Sequence, residues 1–143
     1  MFSKILVPLD GSKMAEETLC QVEDLAGTHE SEIMLLRVAN FRPFPGSENK
    51  KLEREAVERA EAYLEKVAAD LTAKGLKVST HVRFGDPATE ILTHADRHAS
   101  VTVMTTHGRG GITRWAMGSV ADRVIRRSRK PILVIRPEEA CSV

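Results

Sequence analysis

Short runs rich in apolar residues alternate along this chain with longer stretches whose apolar residues recur at helical spacing. The runs are Ile5-Leu6-Val7-Pro8-Leu9, Ile33 to Val38, Leu76 to Val82, Val101 to Thr105 and Pro131 to Arg136. Runs of this length without alternation predict strands buried on both faces. Leu76 to Val82 alternates in part, which places it nearer a sheet edge. Between the runs lie four helical patterns. The first follows Asp10-Gly11-Ser12, carries Ala15, Thr18, Leu19, Val22, Leu25 and Ala26, and is expected to stop at Gly27. The second runs from about Glu48 to Lys74 with a stripe of Leu52, Ala56, Val57, Ala60, Tyr63, Leu64, Val67 and Leu71, and Gly75 closes it. Asp86-Pro87 opens the third in N-cap/N1 order, with Ala88, Ile91, Leu92 and Ala95 on one face. The fourth begins near Ser119 and carries Val120, Ala121, Val124 and Ile125. Strand and helix in strict alternation predict an α/β domain: a parallel sheet with right-handed crossovers and helices on both faces.

The length of 143 residues suits one domain, 1–143, with no internal repeat or low-complexity segment. Asn40 to Asn49, with Pro43, Pro45 and Gly46, interrupts regular structure and reads as a loop. Charge then excludes several partner classes. Lys+Arg of 21 against Asp+Glu of 20 leaves +1, so no global field draws nucleic acid or acidic membranes. Aromatics at 4% argue against base-stacking platforms. No apolar run approaches the ~20 residues needed to span a bilayer. Cys20 and Cys141 alone make no disulfide framework and suit a reducing cytoplasm.

The candidate chemistry lies in two loops at strand ends. After the fourth run comes Thr105-Thr106-His107-Gly108-Arg109-Gly110-Gly111, continuing to Gly118-Ser119 at the start of a helix. Glycines let the main chain approach an anion closely, and the first amides of a helix face it. It is neither a Walker loop nor a Rossmann fingerprint. After the first run comes Asp10-Gly11-Ser12. If strands one and four are neighbours, both loops border one crevice beyond the carboxyl ends of the strands. Asp10 then lies by a sugar or metal ion, and Gly108, Gly118, Ser119 and Val120 surround phosphates. A glycine-rich surface loop without a ligand, and Asp10 or Ser12 as a plain helix cap, are the competing readings.

Taken together these segments resemble the universal stress protein family over essentially the whole chain. The resemblance rests on Ile5 to Ser12, Leu35-Leu36-Arg37-Val38, Gly85-Asp86-Pro87, Thr106 to Gly111, Trp115 to Ala121 and Lys130 to Ile135. It implies a five-stranded parallel sheet in the order 3-2-1-4-5. It also implies a cytoplasmic homodimer paired through the C-terminal strand, Pro131 to Arg136. ATP-binding members of that family carry Gly, two residues, Gly, nine residues, then Gly with Ser, Thr or Asn. Gly108, nine residues and Gly118-Ser119 match, whereas Thr105 stands where the first glycine is expected. The binding set the resemblance implies is Pro8, Leu9, Asp10, Val38, Thr106, His107, Gly108, Arg109, Gly111, Gly118, Ser119 and Val120. Within it Asp10 matches the acidic residue by the ribose, and the main chain of Val38 matches the adenine contact. The implied ligand is ATP, with Mg²⁺ or Mn²⁺ as its companion left open.

The Thr105 departure reads two ways. Its Cβ intrudes on the ligand or demands a φ only glycine tolerates, or a threonine at a strand end is harmless and its hydroxyl meets a phosphate oxygen. Without a water-positioning residue or arginine finger in view, hydrolysis is expected to be slow at most, and no catalytic residue is assigned. The expected role is a nucleotide-dependent regulatory protein of the stress response. The rival is a dimeric interaction module of the same fold without nucleotide. His94 and His98, four apart on the third helix, read as a surface pair with no third metal ligand. Arg126-Arg127-Ser128-Arg129-Lys130 reads as compensation of a helix dipole, and Trp115, Phe41 and Phe44 as loop anchors or ligand covers.

Overall fold

The computed structural model describes residues 2–39, 50–105 and 118–136. Its strands are β1 (Lys4–Pro8), β2 (Glu32–Ala39), β3 (Lys77–Phe84), β4 (Val101–Thr105) and β5 (Ile132–Ile135). Its helices are α1 (Lys13–Glu16), α2 (Leu19–His29), α3 (Lys50–Ala73), α4 (Pro87–His98) and α5 (Gly118–Arg127). The strands form one sheet in the order β3-β2-β1-β4-β5, and all four pairings are parallel, as expected. The chain steps outward from β1 to β3, then returns to β4 on the other side of β1. The reversal therefore lies between β1 and β4.

Strand periodicity divides the core into two halves. Ile5, Val7, Ile33, Leu35, Val101 and Val103 point to one face, where Val22 and Ala26 of α2 and Leu64, Val67 and Leu71 of α3 meet them. Leu6, Met34, Leu36 and Met104 point to the other, against Ala88, Ile91 and Ala95 of α4 and Ala121 and Val124 of α5. Ile5, Leu6 and Val7 are consecutive and each 0% exposed, which explains the unbroken apolar run in β1. Burying such side chains contributes roughly 1.5–3 kcal/mol apiece.

Two helix ends match the sequence reading. Asp86 caps α4, its Oδ2 accepting from the Thr89 amide at 3.0 Å, and Pro87 occupies the first turn. Those bonds, with the Arg123 guanidinium beside it, hold the Asp86 carboxyl down at about 2. Gly75 closes α3 at φ +86°, a left-handed conformation that glycine adopts freely.

The first helical pattern differs. It divides into α1 and α2 at Thr18, whose Oγ1 donates to the Ala15 carbonyl at 2.7 Å. That local bond competes with continuation of the helix ladder. Nor does Gly27 end α2. The helix runs on to His29, and Glu30 makes the closing turn at φ 52° while the Ser31 amide reaches the Ala26 carbonyl at 3.1 Å. Glycine was the obvious stop signal, but here a glutamate accepts the left-handed strain.

Cys20 on α2 is disulfide-bonded, where the sequence reading had reduced thiols; the chain's other cysteine, Cys141, lies outside the described residues. Among the described residues no helix is long and apolar enough to cross a membrane.

A Cβ at Gly27 meets nothing within 4 Å, and the residue lies inside a helix. Gly27→Ala is therefore expected to stabilise the fold by about 0.5–1 kcal/mol, through lower backbone entropy in the unfolded chain. Urea unfolding midpoints check this, and a loss of stability would contradict the assignment of Gly27 to the helix interior.

Candidate functional site

The carboxyl end of β1 is where the sheet opens. β1 and β2 stay paired from Lys4↔Glu32 to Pro8↔Leu36. β1 and β4 are paired only at Ile5↔Val101 and Leu6↔Thr102, so the two strands part before either ends. A gap between neighbouring parallel strands at the reversal of strand order is the usual ligand crevice of such sheets.

The β1 side of this crevice is built by main chain and short polar groups. Pro8 is half-buried, and Leu9 is buried with its side chain in the core, so Leu9 faces the crevice only through its backbone. Its amide donates to the Leu36 carbonyl at 2.8 Å, fixing the loop to β2. Asp10 is half-buried, and its Oδ1 accepts from the Ser12 amide at 2.8 Å. Ser12 Oγ accepts from the Ala15 amide at 3.2 Å. The cap of α1 is thus Ser12, while Asp10 shapes the turn before it. Gly11 stands between them at φ +86°.

Arg37 on β2 completes this corner. Its Nη1 donates to the Leu9 carbonyl at 3.4 Å, and its guanidinium lies 5.7 Å from the centre of the Tyr63 ring. A Cβ added to Gly11 would sit 3.1 Å from Arg37 Nη1. Burial and the carboxylates of Glu16 and Asp10 push the Tyr63 hydroxyl up to about 12, against the pull of Arg37. The Tyr63 hydroxyl is buried without a hydrogen-bond partner among the described residues. A fixed cation therefore stands within the β1–β2 corner, flanked by Asp10 and a protonated phenol.

On the opposite side, Thr105 is the last residue of β4, 5% exposed and paired in register with Ile135. Among described residues other than glycine only Glu30 has positive φ, so Thr105 holds ordinary strand geometry. The possibility that this position demands a glycine conformation is removed. α5 starts at Gly118; Ser119 lies exposed in its first turn, and half-buried Val120 packs on the second core. The N-terminus of α5 carries the positive end of its helix dipole. Thr106, His107, Gly108, Arg109 and Gly111 lie outside the described residues, as do Trp115, Phe41 and Phe44. Val38 sits at the far end of β2, half-buried against the second core and paired in register with Arg83.

Comparison with known proteins now settles the family. The model of the universal stress protein family matches residues 1–136. The chain belongs to that family. Universal stress protein MJ0531 of Methanocaldococcus jannaschii is 32% identical over 141 residues, covering 95% of this chain and 83% of that protein. Universal stress protein Sll1654 of Synechocystis is 34% identical over 136 residues, covering 94% and 86%. The solved structure of MJ0577, also from M. jannaschii, superposes with a TM-score of 0.84 at 32% identity over 95% of this chain and 96% of that one. A universal stress protein of Archaeoglobus fulgidus, solved in complex with dAMP, shares the fold at 22% identity and a TM-score of 0.70, covering 94% and 98%.

Two features of the structure escaped the sequence reading. Arg37 appeared only within a strand motif, and no spacing rule indicates that an arginine one strand away reaches the Asp10 turn. His94 and His98 were read as a surface pair, yet His94 is 4% exposed. Its ring lies 4.6 Å from that of His81 and 4.8 Å from that of His98. Among the described residues no three His, Cys, Asp or Glu side chains are arranged to hold a metal ion.

Gly11→Ala is expected to destabilise the fold by about 1–2 kcal/mol, since an L side chain resists this φ and its Cβ presses on Arg37. Urea denaturation reads this. A neutral result would mean that the Asp10 turn relaxes freely.

Proposed function

We propose that the chain binds ATP in the crevice between β1 and β4 and acts as a nucleotide-dependent regulatory protein rather than as a fast enzyme. The observation that carries this reading is the early parting of β1 and β4, which leaves the Asp10 turn beside an opening in the sheet. Asp10 would accept from ribose hydroxyls. The main chain of Val38, with Pro8 and Leu9, would border the base. The amides of Gly118, Ser119 and Val120, with the loop of Thr106, His107, Gly108, Arg109 and Gly111, would hold the phosphates. The α5 dipole favours an anion there, and the Ser119 hydroxyl would donate to a phosphate oxygen.

The residues fit such a ligand in one testable respect. Thr105 keeps strand geometry, so its departure from the family's glycine imposes no backbone conflict. Mg²⁺ or Mn²⁺ would be held chiefly by the phosphates, with Asp10 as the nearest described carboxylate. A cAMP complex and a dAMP complex occur among structures of the same fold, at 21% and 22% identity. Those complexes support an adenine-nucleotide ligand class only by analogy.

Denaturing the purified protein and chromatographing the supernatant is expected to release adenine nucleotide. Calorimetry of ATP against Gly118→Ala is expected to show weakened binding, because a Cβ enters the phosphate grip. No released nucleotide, together with no binding heat at millimolar ATP, would leave the interaction-module reading in its place.

We further propose that two copies pair through β5. This edge strand leaves Leu133 42% and Val134 36% exposed, and an uncovered apolar edge recruits another chain. Symmetric pairing of two such edges closes the assembly. Sedimentation is expected to give a dimer for the native chain and a monomer for Leu133→Glu. A monomeric native chain at every concentration would refute the assignment.

A further inference from the structure

The inner face of α4 holds a residue that its chemistry does not suit. His94 sits among Ala88, Ile91 and Ala95 on the inner face of α4 at 4% exposure, and its Nε2 has no hydrogen-bond partner among the described residues. A buried unpaired polar atom costs roughly 1–3 kcal/mol, so apolar packing alone does not account for a histidine there. Its neighbours are two more imidazoles, His81 on β3 and His98 one turn further along α4. The three rings form one cluster, each tilted by 52–55° to the next, in the seam between α4 and the β2–β3 edge.

We propose that this histidine cluster is an acid-triggered latch: neutral, it fills the seam and seats α4 on the sheet; protonated, it drives α4 away. The charges around it are arranged for repulsion. From β3, Arg83 and His81 face His94, and from α4 itself His98 does so. The carboxylate that reaches the cluster through hydrogen bonds is Glu32 at the start of β2, and it does so at His81. Ser79 Oγ donates to Glu32 Oε1 at 3.0 Å and lies 3.0 Å from His81 Nε2, so this carboxylate reaches His81 rather than His94. Glu90, one turn earlier on α4, lies against Gly85. Protonation of His94 thus adds a positive charge beside the Arg83 guanidinium and two further imidazoles, while the carboxylates near the cluster, Glu32 of β2 and Glu61 and Glu65 of α3, border His81 rather than His94.

Burial holds the His94 imidazole down at about 4, with the charges of His81, His98 and Arg83 adding to the effect. Burial also lowers His81, reinforced by Arg83 and His98 and opposed by Glu32. Both groups have folded values below their unfolded one. The unfolded chain therefore takes up protons first, and stability present above the ordinary histidine value near 6.5 is lost as pH falls toward the folded values. The sign is opposite to that of a histidine paired with a carboxylate.

The experiment compares urea unfolding of the full chain at about pH 7.5 and about pH 5 with that of His94→Leu and His98→Gln. The native folding equilibrium constant is expected to fall by roughly ten- to thirty-fold from His94 alone over that interval. His94→Leu should remove most of this dependence. His98→Gln alters an exposed side chain and keeps the core intact, and it should reduce the dependence by removing one like charge. Hydrogen exchange corrected for intrinsic rates should show α4 losing protection at pH 5 ahead of α2 and α3. An unchanged pH dependence in both variants overturns the latch, and so does a loss of protection that is uniform across the chain.

Discussion

A wholly parallel sheet leaves the chain no short way home, and that constraint shapes the rest of the molecule. Each strand must be followed by a crossover over one face, and right-handed crossovers place α2 and α3 on one face, α4 and α5 on the other. β1 is the hinge of this arrangement, because the chain winds away from it in both directions. It must therefore be apolar on both faces, and Ile5, Leu6 and Val7 meet that demand without exception. The same central position makes its carboxyl end the one place where two successive loops diverge. The crevice is thus a consequence of topology before it is a consequence of any particular residue.

What topology leaves open, side chains then specify. The loop after β1 needs a left-handed residue, and Gly11 supplies it. That turn carries Asp10 with one carboxylate oxygen committed to the Ser12 amide. Arg37 reaches across from β2 to the Leu9 carbonyl, so one guanidinium braces the loop and holds positive charge at the rim. The Tyr63 ring under that guanidinium couples the rim to α3, a long helix otherwise devoted to core packing.

The outline of this fold could be read directly because burial leaves a strong imprint. Strands covered on both faces appear as apolar runs, and crossover helices appear as stripes, so strand order and the N-cap at Asp86 followed from local patterns and a family resemblance. Boundaries were harder wherever a local bond outweighed the obvious signal, as with Thr18 splitting the first helix and Glu30 rather than Gly27 ending it. Long-range contacts left no trace at all. The approach of Arg37 to Gly11 and the burial of His94 depend on neighbours one strand or one layer away. A pattern of i and i+4 histidines is the same for a wet face and a dry one; only the apolar residues around it, Ile91 and Ala95, hint at the difference. Of the candidate site, the Asp10 turn, Thr105 and the start of α5 can be placed in the fold, while the glycine loop between β4 and α5 lies outside the described residues.

The two edges of the sheet carry opposite chemistry, and the contrast bears on assembly. β3 is guarded: Lys77, Thr80 and Arg83 are exposed along it, charged and polar groups that discourage another strand from docking. Only Phe84, at its end, is large, apolar and exposed. β5 has no such guard, since Leu133 and Val134 are its exposed residues and the strand is only four residues long. If exposed apolar side chains were merely tolerated, they would not be expected to concentrate on one edge while the other is charged. The asymmetry places the histidine seam beside the guarded β3 edge, on the opposite side of the sheet from the apolar edge of β5.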